Sequence, residues 1–219
     1  MHEATWTREE AIARLDDPER RVREDPRKLW RLAGLARGMW VVEVGAGTGY
    51  YSFPASEIVG PAGRVYAVDV SADLVALMRE RARHRGRTNF ESVRSRPGRV
   101  PLPAGIADRV LLANLLHGVP SSTVREAVRL LRRGGMLIDV DWKKSGTSWG
   151  PPVAHRLSPT AARRALEQYG LRTVGGGEFG PSHYFLLLEK DGTARHPKTK
   201  PRTTLRGEPA PAVRGASSS

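Results

Sequence analysis

The chain reads as an α/β protein whose seven-stranded, mostly parallel sheet ends in an antiparallel hairpin. Three observations predict this. Short apolar runs alternate with helix-period segments from about residue 40 to residue 170, the pattern of parallel strands joined by helices. The apolar run 41–44 leads directly into Gly45-Ala46-Gly47-Thr48-Gly49, a strand feeding a glycine turn that opens a helix. Residues 171–178 and 182–189 are strand-like and separated only by Phe179-Gly180-Pro181. So short a link cannot make a parallel crossover and must be a hairpin.

Residues 1–38 hold nine basic and eight acidic side chains and read as a helical cap, with Asp17-Pro18 and Asp25-Pro26 as helix starts. The first strand covers 40–44 and its helix 49–59, with Pro54 near the first turn, where a missing N–H costs least. Gly60-Pro61-Ala62-Gly63 is a turn before a second strand at 64–70. Ser71 caps the next helix, whose apolar face is Leu74, Leu77, Met78 and Ala82, and Gly86 stops it. The third strand is expected at 89–93 and the fourth at 109–113. A helix capped by Ser121 or Ser122 should close with Arg132 and Arg133 in its last turn and Gly134-Gly135 beyond it. The fifth strand is expected at 136–140, and a helix starts at Ser158-Pro159 and stops at Gly170. This divides the chain into a cap at 1–38, a main domain at 39–190 and a tail at 191–219. The tail has no apolar period and is expected to be disordered.

Composition removes several function classes. The 219 residues contain no cysteine, which excludes disulfides, thiolate metal sites and cysteine nucleophiles. No run approaches eighteen apolar residues and no apolar leader opens the chain, so a soluble, cytoplasmic protein with no membrane partner is expected. Asn89, Asn114 and Gln168 are the sole side-chain amides, and arginine is abundant, which fits a heat-tolerant source and a GC-rich genome equally. The net charge is +13. Residues 79–99 carry eight arginines against Glu80 and Glu91, and residues 190–219 carry seven Lys/Arg against Asp191 and Glu208. Such stretches are either solvated basic faces or a surface for RNA or another polyanion.

The glycine turn points to a nucleotide-bearing cofactor. Glycines let the backbone turn sharply and let a ligand approach, and the helix mouth beyond offers unpaired N–H groups. Asp69 ends the second strand twenty residues after Gly49, where an acid can accept hydrogen bonds from ribose hydroxyls. It is expected to face the cleft rather than the core. The spacing is G-x-G-x-G, with Glu43 two positions ahead, and not the dinucleotide G-x-G-x-x-G.

With "RVPLPAGIADRVLLANLLHGV", "AVRLLRRGGMLIDVDWKK" and "GPPVAHRLS" in that order after the glycine motif, the chain resembles class I S-adenosylmethionine (SAM) methyltransferases of the type 11 group. That group is similar to the ubiquinone/menaquinone-biosynthesis C-methyltransferases. The resemblance covers about residues 12–190 and implies the Rossmann-like class I methyltransferase fold, with SAM as cofactor. It implies that Glu43, Gly45, Ala46, Gly47, Thr48, Gly49 and Tyr50 hold the methionine part. Asp69 would take the ribose and Val70 would lie against adenine. Asn114 and Leu115 would lie beside the sulfur. At the positions where the family often has an acid for the adenine amino group, this chain has Ser95-Arg96. Arsenite and C5-pyrimidine methylation, which use cysteines in similar proteins, are disfavoured. Asn114-Leu115-Leu116-His117 also lacks the Pro-Pro-aromatic motif of amino methylation on nucleic acids.

A sulfonium methyl is already activated, so the protein mainly aligns acceptor and methyl and excludes water. A base is needed only where the acceptor loses a proton. His117 and Asp141, at strand C-terminal ends, are candidates, with His155 a third. Trp142, Trp149 and Tyr51 can wall an apolar acceptor pocket or simply pack. A small-molecule acceptor is expected, with an RNA- or protein-directed enzyme as the alternative; nothing in the sequence indicates an oligomeric state.

Overall fold

The computed structural model describes residues 7–145, 147 and 150–191. Trp149 and nearly all of the basic tail lie outside the described residues. The elements run α1 (Arg8–Leu15), α2 (Arg20–Arg23), α3 (Pro26–Leu32), β1 (Trp40–Val44), α4 (Ser52–Val59), β2 (Arg64–Asp69), α5 (Ala72–His84), β3 (Phe90–Arg94), β4 (Ala107–Ala113), α6 (Ser121–Leu130), β5 (Leu131–Trp142), α7 (Pro159–Glu167), β6 (Leu171–Phe179) and β7 (His183–Lys190). The seven strands lie in the order β3-β2-β1-β4-β5-β7-β6. The first five are parallel, and β7 is antiparallel to both β5 and β6.

The strand order reverses between β1 and β4, which are hydrogen-bonded neighbours in the middle of the sheet. The connections from β1 and β4 therefore leave in opposite directions, and the crevice where such a sheet takes its ligand falls beyond their carboxyl ends. Side chains alternate between faces along each strand. Val42, Val110, Leu112 and Leu137 pack with Val124, Ala127 and Leu130 of α6 and Ala162 and Leu166 of α7. Val41, Val65, Ala67 and Leu111 pack with Leu29 and Trp30 of α3, Phe53 and Ala55 of α4, and Val75 and Met78 of α5. Burial on both faces explains why the β1 stretch is apolar at every position but Glu43.

Caps follow local chemistry in most places. The side chains of Asp25, Ser71 and Ser158 accept from backbone N–H groups of the first turns of α3, α5 and α7. Two expectations are corrected. Neither Ser121 nor Ser122 caps α6: its cap is Pro120, with no side-chain bond, and Ser121 is already helical. Arg132 and Arg133 are not in the last turn of α6, because β5 starts at Leu131 and is twelve residues long. Arg132 Nε donates to Asp108 Oδ1 at 2.5 Å, which draws this segment onto β4 instead.

Candidate active site

The loop after β1 forms one wall of the crevice. Gly45, Gly47 and Gly49 all have left-handed φ, at 75°, 56° and 85°, a conformation costly for any residue with a Cβ. Gly45 and Ala46 N–H both donate to Val68 O, at 2.8 and 2.9 Å, which fixes the loop to the end of β2. Gly47 N–H donates to Asp69 Oδ2 at 2.8 Å, and Ser71 N–H to Asp69 Oδ1 at 2.9 Å. Asp69 is therefore not a purely cleft-facing acid: it is 8% exposed and ties the glycine loop to the start of α5. Burial raises its pKa. Val70 beside it is 46% exposed, an apolar surface at the mouth. Ser95 N–H donates to Asp69 O at 2.9 Å, so Ser95 joins this end of the crevice, and Arg96 is exposed next to it.

Glu43 lies beneath the loop, 2% exposed between Ala67 and Leu111. Its carboxyl accepts from Ser52 Oγ at the start of α4. Burial pushes its pKa up to about 8, so the neutral acid dominates at pH 7. Thr48 Oγ1 donates to Asp16 at 2.7 Å and Tyr50 OH to Glu24 O at 2.9 Å. The N-terminal segment thus sits directly on the loop. A Cβ on Gly47 would meet Leu15 Cδ1 at 2.8 Å, and one on Gly45 would meet Leu115 Cδ1 at 2.9 Å.

Asn114 forms the other wall, at the end of β4. It alone among the described non-glycine residues has positive φ, 55°, a strained conformation that clusters at functional sites. Its Nδ2 donates to Glu24 Oε2 at 2.8 Å, and its buried Oδ1 has no partner among the described residues. Three further residues, which the sequence does not single out, complete this wall. Glu24 is 3% exposed and accepts from Arg20 Nε at 2.9 Å and Tyr51 OH at 2.8 Å. Tyr51 is thereby committed to this buried cluster. Arg20 lies 4.1 Å above the Tyr50 ring. His183 is fully buried, its ring 4.2 Å from that of Trp142, and burial lowers its pKa to about 4. The single hint in the sequence is the i,i+4 pairing of Arg20 with Glu24.

His117 follows β4 in a 3-10 turn. Its Nδ1 lies 2.8 and 3.0 Å from the oxygens of the fully buried Asp141, and its N–H donates to Asp141 Oδ2 at 3.2 Å. Asp141, one residue beyond the strand expected at 136–140, lies within the longer β5 and accepts also from Trp142 N–H at 2.7 Å. Asp139, two residues earlier on the same face, is fully buried with the Tyr184 hydroxyl beside it. Burial, and then the Asp141 charge, hold its carboxyl well above the usual range. His155 is exposed on a separate 3-10 turn. No group of three or more metal-ligating side chains converges among the described residues, and no helix there is long and apolar enough to cross a membrane.

Comparison with known proteins places this crevice in context. A methyltransferase-domain family matches residues 42–139. The demethylmenaquinone methyltransferase of Lactococcus lactis is 26% identical over 120 residues, 52% of this chain and 48% of that protein. A ubiquinone/menaquinone biosynthesis C-methyltransferase of Pseudomonas putida is 30% identical over 125 residues, 53% of this chain and 49% of its own. The chain thus spans about half the length of the curated relatives it matches. A SAM-dependent methyltransferase from Aquifex aeolicus, known by crystal structure, is 31% identical and superposes with a TM-score of 0.79. The match covers 85% of this chain and 100% of that one. The match to the Aquifex protein over its whole length, on a sheet with the class I topology, shows that this chain belongs to the class I SAM-dependent methyltransferases.

Proposed function

We propose that this protein transfers a methyl group from SAM to a small-molecule acceptor that must lose a proton, with His117, held by Asp141, as the base. The observation that carries the reading is the glycine turn at the switch point, with three left-handed glycines on one side and the left-handed Asn114 on the other. Its residues fit SAM. The side chains of Ala46 and Thr48 are buried, so loop 45–49 offers its backbone to the methionine part. Asp69 uses one lone pair on each oxygen for Gly47 and Ser71 and retains others for ribose hydroxyls. Val70 offers an apolar surface to adenine, and Ser95 lies close by. Asn114 Oδ1 is a buried acceptor in need of a donor. SAM, when bound, supplies a methyl group on a positively charged sulfur, already activated for in-line displacement.

The rest falls to the chain's own residues. A carboxylate on Nδ1 fixes the imidazole tautomer, leaving Nε2 as the lone-pair nitrogen that accepts a proton. The imidazolium so formed is stabilised by the same carboxylate, in the manner of an acid–histidine pair in hydrolases. The names of the curated relatives make a hydroxylated quinol ring the acceptor class to try first, since methylation at a ring carbon ends with loss of a proton.

Calorimetry of the purified chain should show binding of both SAM and S-adenosylhomocysteine. Labelled-methyl transfer to demethylated quinols, and to a small-molecule cell fraction, then seeks the acceptor. His117→Ala should leave the SAM Kd unchanged and lower kcat by about 10²–10⁴-fold, the usual share of a general base. Absence of binding of either ligand at millimolar concentration sinks the cofactor reading, and an undiminished kcat in the variant removes the base.

A further inference from the structure

One cavity lies away from the glycine loop. A groove of about 850 Å³ runs between the C-terminal half of α5 and β3, the outermost strand on that side of the sheet. Its walls carry Arg64, Arg79, Arg83 and Arg87, with Glu91 as the lining acid. Two of these cations are already matched: Arg64 pairs with Glu91 at 2.6 Å and Arg87 with Glu57 at 2.5 Å. Arg79 and Arg83 are exposed and make no salt bridge among the described residues. They stand four residues apart on α5, hence on one face, about 6 Å apart along the helix. On the floor, Ser92 is nine-tenths buried and its hydroxyl lacks a partner among the described residues. Basic residues late in a helix also suit its dipole, which accounts for Arg83, but Arg79 lies before the last turn and Arg64 is on β2.

We propose that this groove binds the phosphate backbone of a single-stranded nucleic acid, at a site separate from the methyl-transfer crevice. Exposed arginines bind one small anion weakly, because solvent and salt screen the contact. A polymer meets several at once and releases its counterions, which favours a polyanion over a free phosphate. Arg85, between Arg83 and Arg87 in sequence, is exposed as well and adds to the charge at this end of α5. The guanidinium forks of Arg79 and Arg83 suit phosphate oxygens bidentately. The groove's one lining phenyl ring, Phe90, is 8% exposed and stacked on Phe53, which leaves no platform for a base, so the contact reads charge and not sequence.

The test uses the full chain and a fluorescein-labelled 20-nucleotide poly(U), read by anisotropy between 50 and 200 mM salt. Arg79→Gln with Arg83→Gln should weaken binding at least about tenfold at low salt. It should also lower the slope of log K against log salt by about 1.4, the value for two lost contacts to a single strand. The control pair, Arg163→Gln with Arg164→Gln, removes the same charge from exposed positions on α7, which packs on β6 and β7 at the opposite edge of the sheet. It should change affinity less than twofold. If the double variant melts early, Arg79→Gln alone should still lower the slope by about 0.7. No RNA binding, equal losses in the two pairs, or loss of binding to phosphatidylglycerol vesicles with RNA binding intact would each overturn the proposal.

Discussion

Glu43 carries an electrostatic cost that the fold tolerates beneath its cofactor loop. With a folded pKa near 8 and a reference of 4.5, the folded chain keeps a proton on this carboxyl across a window where the unfolded chain has lost it. The associated stability is fully present below about pH 4.5 and declines as pH rises through 8, by about 1.4 kcal/mol for each pH unit inside that window. Asp69, also raised, adds a decline of the same sign. Glu43→Gln keeps an acceptor for Ser52 without an ionisable group. Its melting temperature should fall less between pH 5 and 9 than that of the parent and exceed it at pH 8.5; parallel curves would show that Glu43 does not titrate there. Glu43 and Asp69 were legible in the sequence because motif spacing places them at strand ends. Their partners were not, since spacing says nothing about whether an acid meets ligand or backbone. Glu24 was legible only as the i,i+4 partner of Arg20, because its bond to Asn114 joins residues 90 apart in the chain.

Among the elements, those with their own punctuation were legible: α5 between Ser71 and Gly86, α7 between Ser158 and Gly170, and the closing hairpin. The α6–β5 junction was misread because its cap comes from far away. Lys190, the last residue of β7, donates through Nζ to Val128 O at 2.6 Å and Leu131 O at 2.8 Å, where α6 ends. A cation on the final carbonyls satisfies acceptors that the helix leaves open and matches its dipole. Double-glycine chemistry suggested a longer helix, but Gly135 is needed elsewhere. A Cβ there would stand 3.0 Å from Ala107 O and 2.9 Å from Arg132 O, so a bare backbone lets β5 lie against β4. Lys190→Met keeps the aliphatic stem and removes the donor. It should cost about 1–2 kcal/mol in denaturant unfolding, the worth of a partly buried charged hydrogen bond with its dipole contribution. A cost under a few tenths would mean that water caps α6 equally well.

At the scale of the whole molecule, the N-terminal segment joins three distant parts. Asp16 takes bonds from Thr48 of the glycine loop and Arg81 of α5, and Glu24 from Asn114 at the end of β4. Arg23, in α2, lies against the β6–β7 turn, where a Cβ on Gly180 would come within 2.1 Å of its carbonyl oxygen. No side-chain rotation relieves a contact with backbone, so Gly180→Ala must displace either the turn or α2. Gly180 also has φ of 66°, which alone costs an alanine about 1–2 kcal/mol. Gly170 separates the two effects: its φ is 75°, yet a Cβ there meets nothing within 4 Å. Gly170→Ala should therefore show the conformational cost alone, a fall in Tm of roughly 2–8 °C for a chain of this size. Gly180→Ala should fall further. It should also raise amide hydrogen exchange at residues 16–32 while exchange in β1 and β4 holds, since those strands are buried on both faces. Equal melting temperatures for the two variants, with unchanged exchange at residues 16–32, would show that the close seating of α2 on the hairpin contributes nothing to closing the segment over the crevice.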